Sequence, residues 1–185
     1  MLNELDILRD VSGRLESAGI AYMLTGSMAL SYHAQPRMTR DLDLVVELVE
    51  SDVDRLIGLF EADYYLDPRA VRRAVTARSM FNLIHHESVI KVDFIVLKTA
   101  PYRREEFARR ERITIGDFQT WIVSREDLIL SKLYWARDSH SELQLRDVRS
   151  LMETDCDTAY LHRQACRLGI ENLLREVTTT DEPDK

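Results

Sequence analysis

The stretch Gln35–Glu47, QPRMTRDLDLVVE, is the part of this sequence from which its fold can be argued. It sets two carboxylates, Asp41 and Asp43, into a run of apolar and β-branched residues that predicts a buried strand. Because side chains alternate across a strand, both carboxylates are expected on one face, opposite Leu42 and Leu44. Like charges placed so closely raise the free energy through repulsion and desolvation unless a cation lies between them. Hard divalent ions bind carboxylate oxygens together with substrate phosphates, so Asp-x-Asp indicates a metal site for phosphoryl transfer.

Length and composition describe one domain of ordinary size, or a compact domain with a helical appendage. The chain has 185 residues and a formal net charge of −7, which argues against a generally basic surface that coats nucleic acid. Only four of its 25 lysine and arginine residues are lysines. Arginine suits phosphate recognition, because its guanidinium group binds phosphate through two parallel hydrogen bonds.

The cysteines and the N-terminal residues predict a cytoplasmic protein. Cys156 and Cys166 have no His or Cys at metal-ligand spacing, so we expect free thiols in a reducing compartment. The first ten residues, MLNELDILRD, have neither a basic n-region nor an apolar run. Neither a signal peptide nor a membrane span is therefore expected.

The residues before the acidic stretch predict a helix, a short strand and a second helix. Apolar residues at helical spacing predict the first helix over Asn3–Ala18, with Gly19 as its stop. The apolar run Ile20–Thr25 predicts a strand that ends at Gly26, followed by a helix through MALSYH. Ser27 then lies at a helix N-terminus, where free backbone N–H groups favour an anion such as phosphate. An ordinary serine cap is the alternative.

The residues after the acidic stretch predict two helices and a hairpin. A helix is expected over Ser51–Phe60, with Asp54 in capping-box position. The arginines of Arg69–Arg78 form either a basic flank that faces a polyanion or a solvated helix face. The strand-like runs SMFNLIHH (79–86) and VIKVDFIVL (89–97) follow with a short turn between them, which predicts a hairpin.

A third acid, Asp93, is set into the second strand of this hairpin. Alternation places Asp93 on one face with Lys91 and Ile95. A single carboxylate near a strand end, paired with an arginine, is the alternative interpretation. If this strand neighbours the acidic strand, however, three carboxylates converge.

The C-terminal third is predicted to be mainly helical. Pro101–Arg112 reads as a basic helix whose charges pair within the helix or contact nucleic acid, and short strands follow over Ile113–Val123. Ser124 is expected to cap a strong helix, and further helices run through Met152 and over Thr158–Val177. The predicted divisions are a core domain (1–123), a helical region packed on it (124–177) and a disordered tail (178–185).

Five segments, in this order, resemble the nucleotidyltransferase superfamily related to DNA polymerase β. They are TGSMALSYH (25–33), PRMTRDLDLVVE (36–47), IKVDFIVL (90–97), SREDLILSKLYWARD (124–138) and RDVRSLM (146–152). The resemblance covers about residues 20–152, and it is closest to the AbiEii-like toxins and their small relatives of unassigned function. It implies an α+β fold, a small mixed sheet flanked by helices, with a C-terminal helical extension.

The resemblance also implies roles for individual residues. It gives nucleotide binding to Gly26, Ser27, Arg37 and Lys132. It gives the binding of two Mg²⁺ or Mn²⁺ ions, and catalysis, to Asp41, Asp43 and Asp93, of which Asp93 also helps to deprotonate the attacking hydroxyl. It gives accessory roles to Arg40, Arg146 and Asp147.

The expected function is a metal-dependent nucleotidyltransferase that moves a nucleoside monophosphate from a nucleoside triphosphate to a hydroxyl acceptor. The acceptors considered are tRNA or another RNA 3′ end, a protein side chain and a small molecule. The resemblance further implies a toxin of a toxin–antitoxin or abortive-infection system, with a cognate antitoxin as partner. The alternative is a non-catalytic nucleotide-binding or interaction module, although a decayed site would be expected to have lost one of its acids. An Asp-x-Asp glycosyltransferase does not account for the Gly-Ser helix or Asp93.

Overall fold

A computed structural model describes residues 2–35, 41–139 and 141–179 of the chain. Its helices are α1 (Glu4–Ser17), α2 (Gly26–His33), α3 (Val53–Phe60), α4 (Pro68–Ala77), α5 (Pro101–Ala108), α6 (Arg125–Ser139), α7 (Glu142–Met152), α8 (Thr158–Leu168) and α9 (Glu171–Thr179). Its strands are β1 (Tyr22–Thr25), β2 (Asp41–Val46), β3 (Tyr64–Tyr65), β4 (Met80–His85), β5 (Lys91–Val96), β6 (Glu111–Ile115) and β7 (Phe118–Ile122).

The described residues form two compact units. The first takes in residues 2–29 and 41–123, and the second residues 30–35, 124–139 and 141–179. The first unit contains a seven-stranded mixed sheet in the order β3-β4-β5-β2-β1-β7-β6. Within it β2 pairs with β5 and β1 with β7 in parallel, and the other pairs are antiparallel. The second unit is helical and contains α6 to α9.

One face of the central strands supplies the core of the first unit. Leu42 and Leu44 of β2 lie beside Val92 and Phe94 of β5, and all four side chains are fully buried. Helix α3 packs on this face, since the ring of Phe60 meets the ring of Phe94 edge-on at 5.8 Å. The residues between these apolar positions therefore point to the opposite face of the sheet.

Helix α3 begins later than the sequence predicts, after a 3-10 turn over Glu50–Asp52. The prediction placed its start at Ser51, with Asp54 as the capping acid. Instead, the Asp52 carboxylate accepts the backbone N–H of Val49 at 3.0 Å, which satisfies a free donor at the start of the turn.

Two further helix predictions are wrong in their extent. The basic helix predicted over Pro101–Arg112 ends at Ala108, because Arg112 belongs to β6 and pairs with Trp121 of β7. The helix predicted over Thr158–Val177 is divided into α8 and α9. Gly169 ends α8 with a φ of 66°, a left-handed conformation that glycine adopts without a steric penalty.

Several smaller predictions concern the ends of elements and the thiols. Ser124 does precede α6, and its hydroxyl donates to the Asp127 carboxylate at 2.7 Å. Cys156 and Cys166 are free, as predicted. Thr178 and Thr179, the first residues of the predicted tail, belong to α9, and its residues 180–185 lie outside the described residues. In the described part of the chain, no helix is both long and apolar enough to cross a membrane.

Candidate active site

The parallel pairing of β2 with β5 brings the acidic residues together. Its register places Asp43 directly opposite Asp93 and Asp41 opposite Lys91. Directly paired residues on neighbouring strands point to the same side of a sheet, and residues two apart along a strand share that side. Asp41, Asp43 and Asp93 therefore lie on one face of the sheet, the face opposite the apolar core.

Asp93 is the most deeply buried of the three acids. Its side chain is 8% exposed, against 59% for Asp41. Its Oδ2 atom accepts from the Lys91 ammonium, whereas its Oδ1 atom is buried and has no hydrogen-bond partner among the described residues. A buried polar atom without a partner costs about 1–3 kcal/mol, and more when the group is charged. The carboxylate of Asp93 is therefore only partly satisfied by the described residues around it.

The side chain of Lys91 connects two of the acids. Its Nζ atom lies 2.9 Å from Oδ2 of Asp93 and 3.6 Å from Oδ1 of Asp41. The hydrogen bond to Asp93 raises the pKa of Lys91 above its ordinary value, although partial burial opposes the shift. The group is therefore an ammonium at neutral pH. The strand alternation predicts Lys91 on this face, but no pattern in the sequence indicates a role for it.

The start of α2 lies against Asp43. Gly26, the first residue of this helix, has a φ of 65°, and a Cβ atom built on it would lie 2.9 Å from Cβ of Asp43 and closer still to the carboxylate. Only glycine combines that backbone conformation with so close an approach. The contact brings the first residues of the helix, including Ser27, next to the acidic face. A helix N-terminus also favours a neighbouring negative charge, by about 0.3–1 kcal/mol.

The donor atoms on this face suit a hard divalent cation. Carboxylate oxygens are the ligands that Mg²⁺ and Mn²⁺ prefer, and Oδ1 of Asp93 has no other partner in the described part of the chain. Nevertheless, no group of three or more His, Cys, Asp or Glu side chains within the described residues is already arranged to hold a metal ion. On the acidic face, two of the carboxylates that an ion would need are bound by the Lys91 ammonium.

Beyond Asp93 the sheet continues into β4 and β3, and side chains on the acidic face of these two strands are exposed to solvent. Asn82 of β4 lies directly opposite Asp93, and Met80 is on the same side of that strand. Tyr65 of β3 pairs with Ile84, which in turn lies opposite Lys91. Met80 is 53% exposed and Tyr65 is 63% exposed. These residues are not among those predicted for the site, although strand alternation in SMFNLIHH puts Met80 and Asn82 on one face.

Comparison with known proteins supports the assignment of the fold. No protein-family model matches the sequence, and no curated protein is significantly similar to it. An antigenic nucleotidyltransferase-like protein from Paracoccidioides brasiliensis is similar in structure, with a TM-score of 0.67 and 16% identity over 96% of this chain and 88% of that one. The antibiotic-resistance factor ANT(2'')-Ia in solution has a TM-score of 0.58 and 12% identity over 96% of this chain and 94% of that one. The lincosamide antibiotic adenylyltransferase LnuA, with lincomycin bound, has a TM-score of 0.55 and 14% identity over 82% of this chain and 97% of that one.

The chain has the nucleotidyltransferase fold. The predicted α+β class, a mixed sheet with helices and a helical C-terminal region, is confirmed. At identities of 12–16% the likeness concerns the fold. The closer resemblance to AbiEii-like toxins stays a prediction.

In this nucleotidyltransferase fold, Lys132 and Asp147 form a buried ion pair of the helical unit. Nζ of Lys132 lies 2.7 Å from Oδ2 of Asp147 and donates to Oε1 of Gln144 at 3.2 Å. The two charged side chains are 6% and 4% exposed, whereas Arg146 is exposed. The pair links α6 to α7. The roles predicted for these residues in nucleotide binding stay predictions.

The other predicted basic residues are paired with acids or lie outside the described residues. Arg37 and Arg40 belong to the undescribed segment 36–40. The arginines of α4 and α5 that pair with carboxylates are Arg72 with Asp54, Arg73 with Asp67, Arg103 with Glu106 and Arg104 with Glu47. These ion pairs favour the interpretation that the arginines lie on solvated, charge-balanced helix faces. They argue against a basic surface that binds a polyanion.

Proposed function

We propose that this chain is a metal-dependent nucleotidyltransferase, which moves a nucleoside monophosphate from a nucleoside triphosphate to a hydroxyl acceptor in the cytoplasm. The observation that carries the proposal is the pairing of Asp43 with Asp93 on adjacent parallel strands, with the start of α2 pressed against Asp43. Acids held on rigid neighbouring strands can bind the metal ions that stabilise in-line displacement at a phosphate, and a helix N-terminus can bind the phosphates. The nucleotidyltransferase fold agrees with this chemistry.

The acids and the start of α2 bind different parts of the metal–nucleotide complex. Asp41, Asp43 and Asp93 would hold two Mg²⁺ or Mn²⁺ ions. When bound, such ions neutralise the charge of the triphosphate and hold the attacking and leaving oxygens in line. The backbone N–H groups at Gly26 and Ser27 bind the phosphates, because a helix N-terminus presents unpaired donors and a positive dipole.

The chemical step is a substitution at the α-phosphorus. The acceptor oxygen forms a bond to this phosphorus while the bond to the bridging oxygen of the β-phosphate breaks, and pyrophosphate leaves with that electron pair. The proton of the acceptor hydroxyl passes to the carboxylate of Asp93, the most deeply buried of the three acids. Positioning and charge neutralisation supply most of the rate enhancement in this class of reaction.

A small hydroxylated molecule is the acceptor that the surface beside Asp93 supports best. This surface carries the exposed side chains of Met80, Asn82 and Tyr65, which suit a partly apolar molecule better than a polyanion. The α4 and α5 arginine pairs named above already have acidic partners. Among proteins of similar fold, LnuA is an antibiotic adenylyltransferase with lincomycin bound. An RNA acceptor such as tRNA, with a cognate antitoxin as partner, is the competing outcome and would favour the toxin hypothesis.

A non-catalytic nucleotide-binding module is the second candidate. It is favoured by the Lys91 ammonium, which contacts both Asp41 and Asp93 and so compensates acids that a transferase would use for metal ions. The two candidates differ in one measurable respect. Both bind a triphosphate, but only the transferase makes pyrophosphate.

The decisive experiment measures transfer of label from each of four α-³²P nucleoside triphosphates with Mg²⁺ or Mn²⁺. Total RNA, the protein itself and a panel of hydroxylated antibiotics are offered separately as acceptors, and released pyrophosphate is measured in parallel. Asp43→Asn is expected to abolish transfer, whereas Asp117→Asn, a change of the same type at an exposed turn, is expected to retain it. Equal transfer by wild type and Asp43→Asn would overturn the mechanism. Triphosphate binding without pyrophosphate release would support the binding module.

A further inference from the structure

Two of the three acids of the site contact a cation that belongs to the protein itself. The ammonium of Lys91 contacts Asp93, two residues further along the same strand, and Asp41, its register partner on the neighbouring strand β2. It thus contacts the most buried and the most exposed of the three carboxylates. A divalent ion bound by Asp41 and Asp93 would compete with this ammonium for the same two carboxylates.

The Lys91 ammonium can move away from Asp93 and Asp41 without disrupting the fold. Its side chain is 37% exposed, so the ammonium reaches water by rotation of a flexible four-carbon stem. A second lysine–aspartate pair among the described residues, Lys132 with Asp147, has side chains that are 6% and 4% exposed and has no such route. The first pair is therefore displaceable, whereas the second is part of the packing.

The contact with Lys91 also leaves Asp93 incompletely satisfied. The ammonium binds Oδ2 of Asp93, and Oδ1 stays buried without a hydrogen-bond partner in the described part of the chain. A divalent ion brings twice the charge and can bind several carboxylate oxygens at once. It therefore competes effectively with a single ammonium for this carboxylate.

We propose that Lys91 is the resident counter-cation of the acidic face and that it competes with the divalent ion for Asp93 and Asp41. The inference rests on the proposed metal-dependent function. Lys91 is a positioning residue: it holds the carboxylates in place before metal binding, lowers the affinity of the empty site for the ion, and is displaced from Asp93 when the ion binds.

The test is the affinity of the nucleotide-free protein for Mn²⁺, measured by titration calorimetry and by the electron paramagnetic resonance of free Mn²⁺. Lys91→Met removes the competing charge and keeps the apolar stem, so the affinity is expected to rise by about tenfold or more. Lys91→Arg keeps the positive charge, so its affinity for Mn²⁺ is expected to be close to that of wild type. Lys98→Met is the matched control, because Lys98 is exposed and follows the same strand, and its affinity is expected to equal that of wild type.

The outcomes separate this inference from the proposed function. A site that binds Mn²⁺ in wild type, loses it in Asp93→Asn and gains nothing in Lys91→Met would overturn the role of Lys91 and leave the metal site standing. A rise in Lys98→Met equal to that in Lys91→Met would also overturn it, since only net charge would then matter. If neither wild type nor Lys91→Met binds Mn²⁺, both the inference and the metal-dependent function fail. A purely structural role would change the melting temperature of Lys91→Met without changing its affinity for Mn²⁺.

Discussion

Asp43 and Asp93 face each other across adjacent parallel strands, as direct register partners of β2 and β5. Neighbouring strands are about 4.8 Å apart, and like charges in directly opposed positions destabilise a sheet. The protein offsets part of this repulsion with the Lys91 ammonium at Asp93 and with the start of α2 at Asp43. The arrangement is costly for stability alone, which is the pattern expected of a site kept for function.

The first prediction is that Asp43→Asn keeps or raises the stability of the fold. The change removes the charge that opposes Asp93 and preserves the shape of the side chain, so the free energy of unfolding is expected to stay level or to rise by up to about 1 kcal/mol. Urea denaturation at pH 7 measures it. The control is Asp54→Asn, which removes an exposed pair with Arg72 and is expected to lower stability by less than about 1 kcal/mol. A loss above that in Asp43→Asn would show that Asp43 mainly supports the fold.

The second prediction concerns the close approach of Gly26 to Asp43. Gly26→Ala places a Cβ atom against the Asp43 side chain, at a φ that L-residues rarely adopt. We expect a loss of about 2 kcal/mol or more in the free energy of unfolding, because conformational strain and steric overlap add. Gly58→Ala is the control. Its Cβ meets nothing within 4 Å, and the change is expected to stabilise α3 by about 0.5–1 kcal/mol. Equal effects of the two changes would contradict the contact.

The fold was largely predictable from local patterns, but the site was only partly so. The alternation around Asp41 and Asp43, and again around Asp93, correctly assigned each acid to a face because alternation is a property of the single strand. That β2 lies beside β5 rests on long-range pairing, which strand spacing does not determine and which the family resemblance supplied. The bridging position of Lys91 depends on this register, and the same is true of Asn82 opposite Asp93.

Tertiary contacts also explain why some predicted elements and roles differ from the structure. Arg112 has a good helical propensity and was assigned to a helix, but it pairs with Trp121 in the β6–β7 hairpin. Only the family resemblance implies a role for Lys132 in nucleotide binding. In the helical unit its ammonium contacts Asp147 and Gln144, partners that no local pattern identifies.

The third prediction is that Lys132 and Asp147 depend on each other for stability. Lys132→Met leaves Asp147 buried without its ammonium, so the free energy of unfolding is expected to fall by about 3–5 kcal/mol. Lys132→Met combined with Asp147→Leu removes both charges and is expected to recover most of that loss. Urea denaturation of the four proteins in this double-mutant cycle measures the coupling. A Lys132→Met protein of normal stability and weakened triphosphate binding would instead support the role inferred from the resemblance.

The fourth prediction is a loss of stability in alkaline solution that depends on Tyr64. The side chain is 1% exposed, and its hydroxyl donates to Asp10 at 2.7 Å. Burial, followed by the hydrogen bond to the Asp10 carboxylate, raises the pKa of Tyr64 well above its ordinary value. The folded protein therefore keeps the phenolic proton at pH values where the unfolded chain, with a pKa of about 10, has released it. The contribution of Tyr64 to the free energy of unfolding is fully present below about pH 10 and decreases above it. The slope for this group is at most about 1.4 kcal/mol per pH unit.

Comparison of wild type with Tyr64→Phe isolates this contribution. Burial also raises the pKa of Tyr22, and the hydrogen bond to Asp93 raises that of Lys91, so wild type loses stability over the same alkaline range through several groups. In Tyr64→Phe the hydroxyl is absent, so the fall in the free energy of unfolding between pH 9 and pH 11 is expected to be smaller by about 1 kcal/mol. Tyr65→Phe, at an exposed position beside it, is expected to keep the wild-type fall. Parallel curves for wild type and Tyr64→Phe would show that Tyr64 releases its proton in the folded state as readily as in the unfolded chain.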